Sequence, residues 1–455
     1  MAEPLALRLA DYALALDLQT LPEDVLVRAR HCLLDWLGVT LAGAGEPVSR
    51  IVREEAAAEG GRGEALIFGT GVRLPVAQAA LVNGTASHAL DYDDVIEAMW
   101  GHPTVGVAPV VLALGELLDA DAGAVLAAFV AGVEVSSRLG VMMGATHYGQ
   151  GWHATGTLGA FGAAAAASRL LGLDAEQAAH ALGIAATQAS GLKAMFGTMG
   201  KPLHAGHAAS VGLRAASLAR RGFIARTDAI ECPQGFADAH GGGLVVREDL
   251  GAATRAFHLR DVLFKYHASC YGTHGAIEAA HALRAQQPDI SAHSLARIEV
   301  RVPEGALRMC VIPRPATGLE GKFSLAYTVG GALAGLDTAA LESFSDGRVG
   351  DAAIAAFRDK VEVAGDASLG GFEAEVELVG TDGTRTRWAA DAGKPETDLA
   401  RERARLGAKF IALARPTLGA AADSLPALMG GFGRGTSLSD LLGVLSMRGD
   451  ASRAD

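Results

Sequence analysis

Gly200-Lys201-Pro202-Leu203-His204-Ala205-Gly206-His207-Ala208-Ala209-Ser210-Val211-Gly212 reads as a helix start followed by a face of very small side chains. Pro202 presets φ and has no amide to leave unpaired, so it fits the first turn of a helix. Ala205, Gly206, Ala208, Ala209, Ser210 and Gly212 let neighbouring backbones come very close, so the stretch predicts a helix wedged among other helices. Lys201 stands at its N-terminus, where free amides and the helix dipole already favour an anion.

The same texture extends outward from this segment. From Leu5 to about Phe264 apolar residues recur at three- and four-residue spacing, beginning with Val25, Leu26, Ala29, Leu33, Trp36, Leu37 and Leu41 after Leu21-Pro22-Glu23-Asp24. Further apolar faces predict helices over Val76–Leu90, Ala108–Leu118, Ala122–Met143, Thr157–Leu171, Ala175–Ala189 and Ala208–Arg221. Then the period changes to two. Ala296–Val302, Lys360–Val363 and Phe372–Val379 alternate like half-buried strands, and Asp382-Gly383 leads into Thr384–Trp388 as a hairpin. Helical patterns lie between the first two, at Phe323–Leu333 and Asp351–Phe357, and helices return from Asp398. The expected fold is mainly α: a large all-helical domain (1–265 plus 396–455) with a smaller α+β lid domain (266–395) inserted in it.

Composition narrows the function. Half of the 455 residues are apolar and only 5% aromatic, with 58 glycines, which suits tightly packed helices. A net charge of −12 argues against nucleic acid, since phosphate binding needs basic surface. The most membrane-like stretch, Ala154–Leu173, carries Arg169 and reads as a buried helix rather than a span. The charged residues among Met1–Leu18 do not make a signal peptide. Four scattered cysteines (Cys32, Cys232, Cys270, Cys310) form neither a zinc motif nor a disulfide framework, and the expected location is cytoplasmic.

Against this acidic background, three segments concentrate His, Lys and Asp. His88-Ala89-Leu90-Asp91-Tyr92-Asp93-Asp94, followed by Gly101-His102-Pro103, puts three carboxylates near two histidines. Such acids repel one another unless they orient histidines or a lysine; alone they also read as a solvated acidic turn. Gly151-Trp152-His153 precedes the alanine-rich helix, where His153 either caps the helix or faces an anion. Lys265-Tyr266-His267-Ala268-Ser269-Cys270-Tyr271-Gly272-Thr273-His274 lies where the helical texture gives way to the α+β segment, so Lys265 and His274 are expected near an inter-domain cleft. His204 reads as a polar residue beside a pocket, and Cys270 as a buried inert thiol or a nucleophile. No nucleotide-binding glycine motif, P-loop, serine elbow or compact metal-ligand set is present, so no cofactor and no metal are expected.

Taken in order and spacing, these segments, together with Leu34-Asp35-Trp36-Leu37-Gly38 and Lys322-Phe323-Ser324-Leu325-Ala326-Tyr327-Thr328-Val329, resemble the MmgE/PrpD family. That family includes 2-methylcitrate dehydratases, cis-aconitate decarboxylases and iminodisuccinate epimerase. The resemblance implies an all-helical domain with an α+β lid, a homodimer, no cofactor, and a small di- or tricarboxylate substrate. It also implies a pocket lined by Asp91, His102, His153, Lys201, Lys265 and Tyr327. Two positions depart from the decarboxylase branch: Val95 replaces a threonine and Cys270 a histidine. Losing a hydroxyl and an imidazole changes which substrate groups can be paired.

The expected chemistry is proton transfer next to a carboxylate, which needs concentrated positive charge as well as a base. Lys201, Lys265 and His153 are expected to clamp carboxylates. His102, oriented by Asp91 or Asp93, is expected to move the proton, and Tyr327 to donate to a leaving hydroxyl or orient a carboxylate. Asp93, His204, Cys270 and His274 complete the expected substrate surroundings. The first reading is a carbon–oxygen lyase like 2-methylcitrate dehydratase, or a decarboxylase. The second is an epimerase acting on an iminodisuccinate-like dicarboxylate, and the third a non-catalytic carboxylate-binding homologue.

Overall fold

The computed structural model describes residues 3–246, 250, 256–310 and 312–446. Parts of the expected helical run, at 247–249 and 251–255, and the end of the C-terminal segment, at 447–455, lie outside the described residues. The chain forms two units, Met1–Phe264 with Thr397–Asp455, and Lys265–Glu396. It is mainly α, with a small sheet in the second unit.

Unit 1 begins with α1 (Leu5–Ala15), α2 (Glu23–Gly43) and α3 (Pro47–Ala58). A two-residue hairpin, β1 (Ala65–Leu66) and β2 (Arg73–Leu74), follows. Then come α4 (Val76–His88), α5 (Thr104–Leu118), α6 (Ala122–Gly149), α7 (Ala154–Leu170), α8 (Ala175–Gln188), α9 (Gly200–Arg220) and α10 (Phe236–Gly241). The apolar helix α6 is long enough to cross a membrane by length and composition, yet 94% of its most apolar window is buried inside the protein. It is kinked where Gly144 takes φ 62° and ψ −171°. Ala154–Leu173, the stretch expected to be a buried helix, forms α7, buried from Ala154 to Ser168.

The small face of α9 is the axis of this packing. A Cβ on Gly206 would lie 2.1 Å from the carbonyl oxygen of Leu81 in α4, and one on Gly212 would lie 2.4 Å from the Ala163 Cβ in α7. Only glycine permits either approach. Gly206 meets Gly84, and Lys201 meets Asp91 just past the end of α4, so α9 runs antiparallel to α4. Gly156 meets His204 and Gly159 meets Ala208, so α9 runs parallel to α7. One end of this three-helix packing therefore gathers the C-terminus of α4 and the N-termini of α7 and α9.

Unit 2 carries α11 (His274–Gln286), β3 (Leu295–Val302), α12 (Gly318–Gly321), α13 (Leu325–Ala334), α14 (Asp346–Val349), α15 (Ala352–Arg358), β4 (Val361–Gly365), β5 (Glu373–Gly380) and β6 (Arg385–Asp391). The sheet order is β4-β3-β5-β6; β3 pairs with β4 in parallel and with β5 antiparallel, and β5–β6 is the hairpin turned at Gly383 (φ 86°). Ile298, Val300 and Val302 alternate inward, with Val376 and Leu378 opposite, onto a core shared with Ile277, Leu283, Val329 and Leu333 of α11 and α13.

The chain then returns to unit 1 as α16 (Leu399–Leu418), α17 (Leu425–Gly431) and α18 (Leu438–Leu445). Helix α16 packs along α2 through buried charge. Arg28 donates to Glu402 at 2.8 Å, His31 Nδ1 lies 2.7 Å from the other Glu402 oxygen, and the Lys409 ammonium lies 2.7 Å from Asp35. Each of these side chains is under 10% exposed.

Candidate active site

The end of α4 turns directly into the acidic segment. Asp91 takes φ 52°, a left-handed conformation that Asp tolerates better than most residues. This aims its carboxylate at α9, where the Lys201 ammonium lies 2.6 Å from Asp91 Oδ1. Tyr92 points the other way and is buried. Lys409 of α16 donates to the Tyr92 carbonyl at 2.7 Å and sits 3.9 Å over its ring. Val95 exchanges both main-chain hydrogen bonds with Leu263, at 2.9 and 2.8 Å. His102 is held by its own amide, which donates to Thr155 Oγ1 in the first turn of α7 at 3.1 Å.

Asp93 is the hub. Its carboxylate is 1% exposed, with His88 Nδ1 at 2.9 and 3.0 Å from its two oxygens. His102 Nδ1 lies 2.8 Å from Oδ2, at an angle too oblique for a good hydrogen bond. Burial opposes the charge on Asp93, but the two imidazoles outweigh it and hold the carboxyl well below the usual range. An ionised carboxylate only accepts, so both Nδ1 atoms carry protons. The Nε2 atom of His102 is then presented on the far side of the ring, 3.9 Å from Asp91 Oδ1. Burial, only partly offset by Asp93, lowers His88 to about 4, and the Lys201 charge adds to that. His88 is therefore a neutral imidazole at pH 7, and its buried Nε2 has no hydrogen-bond partner among the described residues.

His153 immediately precedes α7 but makes no capping hydrogen bond. Its Nδ1 lies 3.0 Å from His204 Nδ1, so one ring donates and the other accepts. It also stacks on His88 (centroids 5.8 Å, planes 16° apart) and meets the edge of Phe196 at 5.0 Å. Burial, reinforced by His88 and Lys201, holds its pKa well below that of an ordinary histidine. Behind Asp93, Asp94 accepts a short hydrogen bond from Thr104 and is pushed up to about 7, first by burial and then, against that bond, by the charges of Asp35 and Asp93.

Unit 1 thus brings together Asp91, Asp93, His102, His153, Lys201 and His204. In unit 2, Lys265 is buried, at 2% exposure. Cys270 is half-buried, its amide donates to the Lys322 carbonyl at 2.9 Å, and its thiol contacts that of Cys310. His274 starts α11, stacks on Tyr271, and is held well below its ordinary pKa chiefly by burial. Tyr327 is fully buried and its hydroxyl donates to the Ser343 carbonyl at 2.5 Å, so the phenol expected to serve substrate is engaged within its own unit. Burial raises it to about 12.

His88 is the residue that reading the sequence passed over. The signal was present, since it opens the His88–Asp94 segment, but nothing in the spacing said which histidine Asp93 would hold. His88, Asp91, Asp93 and His102 place potential ligand atoms within 4.8 Å of one another, the spacing a metal would need. Their carboxylates already have partners, however: Asp91 is on the Lys201 ammonium, and Asp93 faces the Nδ1 atoms of His88 and His102.

The MmgE/PrpD N-terminal domain model matches residues 7–248 and the C-terminal domain model residues 267–426. The chain is 30% identical over 318 residues to cis-aconitate decarboxylase of Homo sapiens, covering 68% of this chain and 66% of that protein. It is 31% identical over 336 residues to the cis-aconitate decarboxylase-like protein oryM of Aspergillus oryzae, covering 68% of each. To cis-aconitate decarboxylase of Aspergillus terreus it is 30% identical over 332 residues, covering 68% of this chain and 67% of the other. The matches thus span about two thirds of these relatives' lengths. With both domain models matched in order across the two units, the chain belongs to the MmgE/PrpD family.

Proposed function

We propose that this protein is a cofactor-independent lyase acting on a small tricarboxylic acid of the cis-aconitate kind, by proton transfer next to a carboxylate. The names of its relatives support the substrate class. The observation that carries the reading is the geometry around His102: Nδ1 beside an ionised Asp93, and Nε2 turned toward Asp91 and the Lys201 ammonium.

Decarboxylation of a β,γ-unsaturated carboxylate breaks the C–C bond to carbon dioxide and moves that electron pair into a new double bond. The former alkene carbon takes one proton. The protein must therefore deliver a proton to carbon and stabilise charge on the remaining carboxylates. In this proposal His102 Nε2 carries the proton, because imidazole exchanges protons near neutral pH. Lys201 supplies charge at a carboxylate, aided by the N-termini of α7 and α9. Neutral His153 donates or accepts a hydrogen bond rather than adding charge.

The test is 1H NMR of cis-aconitate in D2O with purified, chelator-treated enzyme. Expected are carbon dioxide release and one deuterium in the product, with turnover slowed roughly 10²–10³-fold in Lys201→Ala and His102→Asn. Water addition across the double bond would indicate a hydratase direction instead. Deuterium exchange of an α-hydrogen with inversion, in an iminodisuccinate-like acid, would indicate the epimerase. Unchanged turnover in both variants would sink the assignment.

A further inference from the structure

We propose that His88 is a positioning residue for His102: it takes the well-aligned hydrogen bond to Asp93, keeps that carboxylate ionised, and limits how tightly Asp93 holds a proton on His102. The inference rests on the function proposed above for its rate measurement, and on the geometry around Asp93 for the rest.

A carboxylate at 1% exposure needs donors to remain ionised. Asp93 has two such neighbours, and they are not equivalent. His88 Nδ1 lies 2.9 and 3.0 Å from the two oxygens in good hydrogen-bond geometry, whereas the His102 contact is oblique. If His88 were absent, Asp93 would be left to His102. An undivided carboxylate behind an imidazole favours its protonated form. It would also be more easily protonated itself, having lost a donor. The first effect moves the pH at which His102 gives up its proton upward; the second raises the low-pH edge at which ionised Asp93 is lost.

The choice of histidine also follows. Lysine or arginine at position 88 would bring a full charge, and Asp93 would then offer His102 little. A neutral imidazole donates through Nδ1 without adding charge, and burial keeps His88 neutral, lowering it to about 4. The unused Nε2 lone pair is what remains of that arrangement. Other charges bear on the trio. Asp91 and Asp94 flank Asp93 in sequence, Lys201 projects from α9, and His153 stacks on His88 from before α7. Asp35 of α2 acts on Asp94, and Lys409 of α16 pairs with Asp35. The hydrogen bond to Asp93 itself comes from His88, with His102 Nδ1 beside it.

The test compares His88→Leu with His88→Asn, whose side-chain amide can place an N–H where Nδ1 stood. Expected for the leucine variant is a kcat loss of roughly 10- to 100-fold, with the basic limb of kcat/KM, on which His102 loses its proton, moved up by about one pH unit. Asparagine should restore the limb to its wild-type position and most of kcat. Equal loss at every pH with a fixed limb, or an asparagine variant no better than leucine, would overturn the proposal. Histidine 15N NMR decides the matter independently of turnover and of the leucine variant's folding. In the wild type, His88 should show a protonated Nδ1 and a bare Nε2 from pH 8 down to pH 5. A proton on Nε2 in that range refutes the proposal even if cis-aconitate proves not to be the substrate.

Discussion

Gly206→Ala is the perturbation that most directly links packing to chemistry in this molecule. The new methyl would fall 2.1 Å from the Leu81 carbonyl oxygen, 2.3 Å from Thr85 Oγ1 and 2.9 Å from the Thr85 amide. A methyl carbon needs about 3.5 Å from such atoms. Because two of the three obstacles are backbone, rotamer changes cannot relieve the clash, and α9 must move off α4 by more than ~1 Å. Lys201 lies five residues earlier in the same helix, on a 2.6 Å contact with Asp91 that such a shift would break. Overpacking of this kind costs about 1–3 kcal/mol of stability, and a displacement of ~1 Å at a reacting group costs about 10²-fold in rate. Urea denaturation read by circular dichroism gives the first quantity, and cis-aconitate turnover at a temperature where the variant is fully folded gives the second. A variant with wild-type stability and turnover would refute the reasoning that α9 is seated by this glycine. A variant destabilised but fully active would show that Lys201 does not depend on that seating.

Three further outcomes are expected. Asp94 is held near 7 in the fold against about 3.9 in an unfolded chain, so its neutral form stabilises the protein at low pH and that contribution is lost as pH rises through 7. Asp94→Asn removes the effect and keeps an acceptor for Thr104. Its stability advantage should grow between pH 4 and 7 to a few kcal/mol at most (~1.4 per unit), and urea midpoints equal at pH 5 and pH 8 would contradict this. Tyr327→Phe should cost about 1 kcal/mol of stability through the Ser343 carbonyl, with kcat nearly unchanged; a loss of two orders in kcat would mean the hydroxyl leaves Ser343 to serve substrate. Prolonged chelation should leave turnover unaltered, because the Lys201 ammonium and two imidazole Nδ1 atoms already occupy the two carboxylates; activity restored only by added metal would show otherwise.

Much of the helical architecture is legible because long apolar, alanine-rich stretches bounded by Gly or Pro mark α2, α4 to α9 and α13, and β3 and β5 alternate. What escapes notice lacks such periods. The hairpin β1–β2 has two residues per strand around Gly69-Thr70-Gly71, too short to alternate. Helix α11 is disguised by His274, Glu278 and His281 along its length. The parallel pairing of β3 with β4 is invisible to local pattern, since it depends on a crossover through α12 to α15. In the site, the Lys201–Asp91 contact joins residues 110 apart, and the His153–His204 contact residues 51 apart. A sequence shows that these groups exist; only the antiparallel α4–α9 and parallel α7–α9 packing decides which of them touch.

The return of α16 onto α2 constrains how the molecule is made. Arg28 waits for Glu402, 374 positions later, and Asp35 for Lys409. Until those residues leave the ribosome, Arg28 and Asp35 lack these two partners. Losing one partner of a buried pair costs roughly 3–5 kcal/mol, so α2 is expected to bury these groups only once α16 has been made. The Lys409 hydrogen bond to the Tyr92 carbonyl ties the acidic turn beside Asp93 to the same late helix. A chain that stops before α16 is therefore expected to lack chemistry as well as stability.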